Sequence, residues 1–338
     1  MSARSSALYE PLSDEFIYEK NMNERLPMAS TTKIMTALLA IELCDPDELV
    51  EIPSEATGIE GSSVYLKTGD RVTVRDLIYS VLLQSANDAA AALAIKLGGD
   101  IYGFADMMNA RAESLKLCDT HFDNPHGLDS EGHYTTAHDL ALLAAEALKN
   151  DTFRRICSTY KYSFSISDSP RTVVNHNKLL KRYKGAIGVK TGYTDRSGRC
   201  LVSAAERGGL TLIAVTLDAP DDWSDHTKML DFGFERYSAV KLSELTKTAF
   251  DLSVAGGRSD FVSVRAEDES RIYTRKITDP EFYAELQLRR FTFAPVNEGD
   301  EVGRIIIKQG DKTVDVIPLT AEEAVGQREK SRWLPRLW

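Results

Sequence analysis

The chain has 338 residues, 43% hydrophobic and 27% charged, a balance typical of folded soluble proteins rather than disordered or fibrous ones. One hydrophobic core rarely serves a chain of this length, so we expect two domains. The net charge of −10 argues against nucleic acid as a partner, and no apolar run is long enough to span a bilayer.

The first predicted elements are two short strands and a helix. The alternating stretches ALYEP and DEFIYEKN predict strands joined by a turn. In STTKIMTALLAIELC, residues 30–44, the apolar positions cover most of a helical circumference, which predicts a helix buried nearly all round. Its first turn is nevertheless polar, which indicates that a cavity opens there.

The next segment predicts more helices. Thr73 with Asp76, and Thr136 with Asp139, form capping boxes that mark two helix starts. The first of these helices is interrupted by the polar run QSAND and resumes until a Gly-Gly pair stops it. A further helix is expected over about 101–117, and the second capped helix should end near residue 148.

Strand patterns dominate after residue 160. The stretches KYSFSI, AIGVKTGYT, GRCLVSAAE and LTLIAVTLDA are rich in β-formers, and Arg-Gly-Gly at 207–209 predicts a hairpin between the last two. An amphipathic helix should follow over about 222–236. Residues from about 245 to 320 contain repeated short alternating runs, which predicts a separate small all-β domain.

Cysteine and histidine spacing argues against a metal site. No CxxC pair is present, so we interpret the four cysteines as buried thiols; they are Cys44, Cys118, Cys157 and Cys200. Four histidines crowd one region without an HExxH pattern, and we interpret them as structural or exposed loop residues. They are His121, His126, His133 and His138.

Ser30 and Lys33 are the first candidates for chemistry. At this spacing they share one face of a helix. A serine hydroxyl needs a base to become a nucleophile, and a lysine can be that base only if burial or a nearby cation keeps its amine neutral. Taken alone, this spacing is more often an ordinary N-cap serine and a solvated lysine.

Two further elements strengthen that hypothesis. Ser85-Ala86-Asn87 interrupts an apolar helical region with polar groups, which are costly to bury without partners. A Lys-Thr-Gly on a strand, residues 190–192, offers a positive charge, a hydroxyl and room for a ligand backbone. Together these suit a substrate that ends in a carboxylate.

Lys-Thr-Gly occurs twice, and only the second copy lies in a predicted strand. The first copy, Lys67-Thr68-Gly69, runs into Asp70 and precedes a helix cap, so its glycine is better explained by a turn. We therefore predict that the copy at 190–192 lines the pocket.

The three motifs, in this order, resemble those of the penicillin-recognising serine enzymes. Longer stretches resemble the low-molecular-mass D-alanyl-D-alanine carboxypeptidases in particular: LPMASTTKIMTALLA, LLQSANDAAAALA, NPHGLDSEGHYTTAHDLA and IGVKTGYTDRSGRCLVSAA. The similarity covers about residues 7–240. It implies an α+β fold like that of β-lactamases and DD-peptidases, an antiparallel sheet flanked by helices with a helical lobe, plus the small C-terminal all-β domain.

The resemblance also implies a role for each motif residue. Ser30 would be the acylated nucleophile, Lys33 its base, and Ser85 the donor of a proton to the leaving amine. Asn87 would hold the acyl-side amide of the substrate. The remaining implied substrate-binding residues are Lys190, Thr191, Gly192 and Tyr193. Lys190 and Thr191 would face the terminal carboxylate, and the backbone N–H groups of Tyr193 and Ser30 would together form the oxyanion hole.

This chain departs from the family pattern in three places. An arginine often precedes Lys-Thr-Gly in the family, whereas the nearest stretch here offers His176 and Lys178. Family members are usually exported, but the N-terminus carries no apolar signal stretch, so we expect an extracytoplasmic protein whose signal peptide is absent from this chain. The end, REKSRWLPRLW, is basic with two tryptophans, and we interpret it either as an interfacial segment or as a frayed tail.

The sequence therefore predicts a serine-type carboxypeptidase with residues 1–242 as the catalytic domain, 243–322 as the β-rich domain and 323–338 as a tail. Its partners would be peptidoglycan stem peptides ending in D-Ala-D-Ala, β-lactams as inhibitors, and a membrane surface touched through the C-terminus. The resemblance implies no metal and no organic cofactor. The alternatives are a β-lactamase, for which no deacylating Glu-x-x-Leu-Asn run is evident, and a non-catalytic cell-wall binding protein, which would be expected to lose Ser30 or Lys33.

Overall fold

The computed structural model describes residues 1–329, and these divide after Glu235 into two units. The sequence placed this division after residue 242, so residues 236–242 join the second unit. Most of the predicted interfacial tail lies beyond residue 329 and thus outside the described residues. Within residues 1–329, no helix is both long and apolar enough to cross a membrane.

The first unit alternates between strands and helices. Its strands are β1 Ser5–Glu10, β2 Glu15–Lys20, β3 Leu49–Glu51, β4 Arg71–Thr73, β5 Lys161–Ile166, β6 Ser169–Val174, β7 Ala186–Thr194, β8 Gly198–Arg207 and β9 Leu210–Leu217. Its helices are α1 Lys33–Leu43, α2 Val74–Tyr79, α3 Asn87–Gly98, α4 Ile101–Ser114, α5 Ala137–Lys149, α6 Asp151–Ser158, α7 Leu179–Arg182 and α8 Asp222–Phe234.

A five-stranded antiparallel sheet organises this unit, in the order β2-β1-β9-β8-β7. The predicted hairpin joins β8 to β9, and Gly208 and Gly209 both have positive φ, 57° and 84°, as a two-residue hairpin turn requires. Strand β7, which carries the second Lys-Thr-Gly, lies at the edge of the sheet. One side of β7 is therefore open to other parts of the chain and to ligands.

The helices supply the rest of the core. Every residue of α1 from Lys33 to Ala40 is buried, as its all-round apolar pattern predicts. Both predicted helix starts carry their threonine cap, because Thr73 accepts a hydrogen bond from the Asp76 N–H and Thr136 accepts one from the Asp139 N–H. The interruption at QSAND is also present. Residues 80–84 form a wide π-type turn, and Ser85 follows with a left-handed φ of 63°.

Two expectations for this unit need correction. Helix α1 begins at Lys33 rather than at Ser30, because Ala29–Thr32 form a tighter 3₁₀ turn ahead of it. The four free cysteines are not all buried: Cys157 and Cys200 are, whereas Cys118 is exposed just beyond α4. Helix α6 was not predicted, although Asn150, which accepts hydrogen bonds from the N–H groups of Thr152 and Phe153, is a recognisable cap.

The second unit consists of strands apart from one helical turn, as its alternating runs predict. Its elements are β10 Tyr237–Lys241, α9 Leu242–Leu245, β11 Ala249–Ala255, β12 Phe261–Ala266, β13 Ile272–Lys276, β14 Phe282–Leu288, β15 Phe291–Phe293, β16 Glu301–Gln309 and β17 Lys312–Ala321. Six strands form one sheet in the order β14-β16-β17-β12-β11-β15. Its buried face carries aliphatic side chains that include Val262, Ile305 and Ile317.

Candidate active site

Ser30 sits in the 3₁₀ turn that precedes α1, in a tightly constrained stretch of backbone. Ala29, directly before it, has a positive φ of 45°. The carbonyl of Ala29 lies against Gly127, where a Cβ would come within 1.9 Å of the carbonyl oxygen. Only glycine fits at position 127, so the loop around it holds the turn that presents Ser30.

Lys33 is fully buried and lies against the Ser30 hydroxyl. Its Nζ is 2.9 Å from Ser30 Oγ and 2.7 Å from Asn87 Oδ1, and it also donates to the carbonyl of His126. Burial, together with the positive charge of Lys190, holds the pKa of Lys33 well below its usual value. The amine is therefore poised to be neutral, as a base must be.

The partners of Lys33 fix the direction in which its lone pair points. A neutral amine has two N–H groups and one lone pair. The two carbonyl-type oxygens, from Asn87 and His126, can only accept hydrogen bonds, so they take the two N–H groups. The lone pair then faces Ser30 Oγ, in position to take the hydroxyl proton.

Ser85 pairs with the second buried lysine. The Nζ of Lys190 lies 3.0 Å from Ser85 Oγ and 2.8 Å from the carbonyl of Thr191. Burial lowers the pKa of Lys190 to about 7. The left-handed backbone at Ser85 turns its side chain towards this amine between two buried helical segments. The polar interruption of the apolar helix thus has a partner.

Asn87 lies beneath the site with both ends of its amide occupied. Its Oδ1 accepts from Lys33, and its Nδ2 donates to the carbonyl of Glu60 at 2.5 Å. It is buried. This geometry fits an orienting partner of Lys33. Direct binding of a substrate amide by Asn87 stays a prediction.

Strand β7 passes close beside Ser30. A Cβ at Gly192 would lie 3.0 Å from the backbone N of Ser30 and 3.1 Å from the Ala29 Cβ, so any larger residue would crowd this contact. The backbone of Tyr193 follows directly, while its side chain is 61% exposed and donates to Asp195. The strand and the turn thus lie close enough to share an oxyanion hole.

A cleft of about 290 Å³ joins the motif residues to groups that the sequence did not single out. Arg199, at the start of β8, opposes Tyr193 across the β7–β8 pair and forms an ion pair with the buried Asp222 at 3.1 Å. His176 and Lys178, the predicted substitutes for the family arginine, also line the cleft. The lining residues are Ser30, Ser62, Ser85, His176, Lys178, Thr191, Gly192, Tyr193, Arg199, Asp222 and Trp223.

The first Lys-Thr-Gly copy forms a turn. The N–H of Lys67 donates to Asp70 Oδ2 at 2.8 Å, the N–H of Asp70 donates back to the Lys67 carbonyl at 3.0 Å, and Gly69 has a φ of 82°. Lys67 is exposed. This copy is not among the residues that line the cleft around Ser30.

A series of buried hydrogen bonds through His133 supports the turn that carries Ser30. The N–H of Asp123 donates to His133 Nδ1 at 3.0 Å, so the ring proton must lie on Nε2, which donates to Thr32 Oγ1 at 2.7 Å. The Thr32 hydroxyl in turn donates to the Ala29 carbonyl at 2.8 Å. Burial lowers the pKa of His133 to about 4, so the ring stays neutral near pH 7. No sequence motif predicted this series of hydrogen bonds.

His133→Ala is expected to slow acylation by about tenfold or more, because the Ser30 turn loses its support and small misplacements of a nucleophile are costly. His133→Gln should restore most of the rate, since an amide N–H can donate to Thr32 in the same way. The measurement is the rate of penicillin labelling, alongside the melting temperature. If the alanine variant labels at the wild-type rate, these hydrogen bonds do not position the nucleophile. Equal losses in both variants would point to a packing role instead.

The family models that match this chain cover both units. The model described as D-alanyl-D-alanine carboxypeptidase, peptidase S11, matches residues 1–221. A second model, described as the C-terminal domain of penicillin-binding protein 5, matches residues 237–327.

Curated relatives match along most of the chain. The D-alanyl-D-alanine carboxypeptidase DacF of Bacillus subtilis is 34% identical over 331 residues, which cover 95% of this chain and 85% of that protein. DacC of Escherichia coli, also named a D-alanyl-D-alanine carboxypeptidase, is 31% identical over 354 residues, with 100% of this chain and 87% of that protein covered.

Solved structures share the same architecture. Penicillin-binding protein 5 of Haemophilus influenzae superimposes with a TM-score of 0.70 at 26% identity, covering 97% of this chain and 98% of that one. The DD-transpeptidase of Streptomyces K15 gives a TM-score of 0.66 at 36% identity and covers 70% of this chain and 98% of that one. The predicted β-lactamase and DD-peptidase-like fold is confirmed.

Proposed function

Because the chain belongs to the D-alanyl-D-alanine carboxypeptidase family, we propose that it removes the terminal D-alanine from peptidoglycan stem peptides through an acyl-enzyme on Ser30. The observation that carries this proposal is the contact between Lys33 and Ser30 Oγ, with the other two hydrogen bonds of the amine fixed by Asn87 and His126.

Acylation begins when Lys33 takes the Ser30 proton. Oγ then attacks the carbonyl carbon of the penultimate D-alanine, and the oxygen of that carbonyl becomes negatively charged. The backbone N–H groups of Ser30 and Tyr193 are the proposed donors to this oxyanion, a role supported by the close approach of Gly192 to the Ser30 backbone.

The leaving D-alanine nitrogen needs a proton when the tetrahedral intermediate collapses. Ser85 is the proposed donor, since its hydroxyl lies in the cleft and hydrogen-bonds to Lys190, from which it can be reprotonated. Water then attacks the acyl-enzyme and regenerates Ser30.

The substrate carboxylate is proposed to bind between Lys190, Thr191 and Arg199. The pKa of Lys190 near 7 means that its charge is incomplete in the free enzyme, and a bound carboxylate would favour the charged form. Arg199 lines the same cleft, and its planar guanidinium suits a carboxylate partner. Its ion pair with Asp222 orients the guanidinium, so Arg199 is a stronger candidate for the missing family arginine than His176 or Lys178.

β-Lactams should acylate the same serine, because they place a strained amide carbonyl next to a carboxylate. We expect the penicilloyl adduct to persist for minutes or longer, since no dedicated deacylating glutamate is apparent from the sequence. The measurement follows adduct decay and penicillin hydrolysis together, with turnover of a D-Ala-D-Ala peptide as the comparison. Rapid steady-state hydrolysis of penicillin would favour the β-lactamase alternative.

We propose that the protein acts where peptidoglycan is built, outside the cytoplasmic membrane. The substrate in the family's name supports that location. The presence of both Ser30 and Lys33 argues against the alternative of a non-catalytic cell-wall binding protein, which would not need them. Contact with a membrane surface through the C-terminus remains part of the proposal, supported by the basic, tryptophan-containing sequence REKSRWLPRLW.

A further inference from the structure

The first unit contains a second cavity, which shares no lining residue with the cleft around Ser30. Its lining residues lie within 40–46 at the end of α1, within 75–79 of α2, within 152–156 of α6, and at Tyr162 of β5. This helix cavity has a volume of about 520 Å³, which is within the range of small-molecule sites. The proposed function makes no use of it.

The walls of the helix cavity are mostly apolar. Each of the three helices contributes one isoleucine, and these are Ile41, Ile78 and Ile156. Tyr79 and Tyr162 also line the cavity, and they stack with ring centroids 3.6 Å apart and planes 7° from parallel. The stack is fixed in place, because the Tyr162 hydroxyl donates to Asp76 Oδ1 at 2.7 Å. Such walls suit the apolar body of a ligand.

The Tyr79 hydroxyl is an unused hydrogen-bonding group at this cavity. It has no hydrogen-bond partner among the described residues, although Tyr79 is only 8% exposed. It is not sealed in the core, because the fully buried side-chain polar atoms without a partner in residues 1–329 are Ser6 Oγ and Arg111 Nε. The hydroxyl therefore opens on the cavity that the ring lines. Buried phenol groups usually have a partner, so we infer that a polar atom of a ligand supplies it.

The charged lining residues of the helix cavity are both arginines. Arg75 and Arg155 are exposed at its mouth. Arg75 forms an ion pair with Asp47 at 2.8 Å. No carboxylate of the described residues pairs with Arg155, whose guanidinium donates to the Thr152 hydroxyl at 3.4 Å. One guanidinium is thus available for a single negative charge, and its planar shape suits a carboxylate.

Each helical wall of the cavity leads to one motif of the candidate active site. Helix α1 begins at Lys33, and α2 runs into the π-type turn that ends at Ser85. Helix α6 packs against β7, where the Cys157 thiol donates to the Ile187 carbonyl at 3.3 Å, three residues before Lys190. Protein interiors are close-packed, so an occupant that pushes these helices apart also shifts the motif residues.

We propose that the helix cavity binds a small carboxylate attached to an apolar body, and that this occupant slows acylation of Ser30. Arg155 and the Tyr79 hydroxyl would hold the carboxylate. Lys33 Nζ on α1 lies 2.7 Å from Asn87 Oδ1, which follows α2, so pushing these helices apart would lengthen the contact that orients the amine. The effect on acylation rests on the proposed function, whereas binding to the cavity does not.

The first test measures binding of 4-phenylbutyrate to the full chain by calorimetry, with and without excess penicillin. Binding should be equal in both conditions, because the helix cavity is separate from the cleft. The neutral amide of the probe should bind at least about tenfold more weakly. Arg155→Gln should weaken binding of the carboxylate about tenfold, and Tyr79→Phe about threefold. The matched control is Arg182→Gln, at an exposed position of α7, which should bind as the wild type does.

Cys44 reports where the probe binds. Its thiol lines the helix cavity and is half-buried, whereas Cys118 lies outside the cavity and is exposed. Saturating 4-phenylbutyrate should slow alkylation of Cys44 at least about fivefold and leave alkylation of Cys118 unchanged. Mass spectrometry of the alkylated peptides measures both rates in one sample.

The rate of penicillin labelling tests the effect on acylation. Saturating probe should lower it at least about threefold in the wild type and in Arg182→Gln, and should leave it unchanged in Arg155→Gln. The proposal is overturned if penicillin displaces the probe, if Cys44 is not protected, or if the bound probe leaves the labelling rate unchanged. A chain in which the probe protects Cys44 but penicillin labels no residue would contradict the proposed function and support the second site.

Discussion

Replacing Ser30 with alanine is expected to abolish penicillin labelling and to lower D-alanine release by at least about 10⁴-fold. The nucleophile is the one group that no neighbour can replace, because Lys33 is positioned on Ser30 Oγ and Gly192 brings β7 against the same residue. The oxyanion donors and the binding cleft would remain, which sets the residual rate. Labelling with penicillin and release of D-alanine from a D-Ala-D-Ala peptide are the measurements.

The matched control is Ser54→Ala, at an exposed position of a short 3₁₀ turn, which should leave both measurements unchanged. The Ser30 variant should keep its melting temperature near that of the wild type, because the hydroxyl contacts Lys33 and does not fill the core. A folded Ser30→Ala protein that still labels normally would rule out Ser30 as the acylated residue.

Replacing Lys190 with alanine is expected to lower kcat/KM by at least about 100-fold, whereas Lys67→Ala should change it by less than about threefold. Lys190 is buried beside Ser85, so its loss removes the proposed charged contact to the substrate, worth about 3 kcal/mol in a desolvated site. Arg199 would still supply charge to the cleft, which is why the loss is limited. Lys67 is an exposed turn residue, where a charge contributes little.

The two lysine variants are compared on one D-Ala-D-Ala peptide after both are shown to be folded. Both lysines belong to a Lys-Thr-Gly sequence, but Lys190 is buried in a strand and Lys67 is exposed in a turn. If Lys67→Ala were the damaging change, the pocket would lie elsewhere, and the roles proposed for Thr191, Gly192 and Tyr193 would fall with it.

The family, the fold class and the carboxypeptidase activity could be predicted because local sequence signals agreed with one another. Each of these signals is local in the sequence. They are the three short motifs, the apolar pattern of the first helix and the alternating patterns of the strands. The predictions of family, fold and enzyme class are confirmed by the matching models and relatives. The residue-by-residue roles stay predictions, although the geometry brings Ser30, Lys33, Ser85 and Lys190 together.

The Ser-x-x-Lys spacing alone does not identify Ser30 as the candidate nucleophile. Ser158 and Lys161 have the same separation as Ser30 and Lys33, yet Ser158 is exposed at the end of α6 and Lys161 is exposed in β5. What distinguishes Ser30 is burial of its lysine on an apolar helix, which the composition of residues 30–44 does reveal.

The parts of the site that could not be predicted depend on contacts between distant segments. The carbonyl that orients Lys33 comes from His126, 93 positions away, and backbone groups carry no sequence signature. The ion pair of Arg199 with Asp222 joins β8 to α8, and either residue alone resembles an ordinary surface charge. The 3₁₀ turn before α1 could not be predicted either, because the hydrogen bonds that support it connect Ala29 through Thr32 to the distant His133.

The most direct test of the account is mass spectrometry of the wild-type protein after exposure to penicillin, with the labelled peptide sequenced by fragmentation. The account predicts one stable penicilloyl group per chain, on Ser30, that is absent when the protein is first incubated with an excess of a D-Ala-D-Ala peptide mimic. A protein that stays unlabelled, or that carries the group on any other residue, would contradict it.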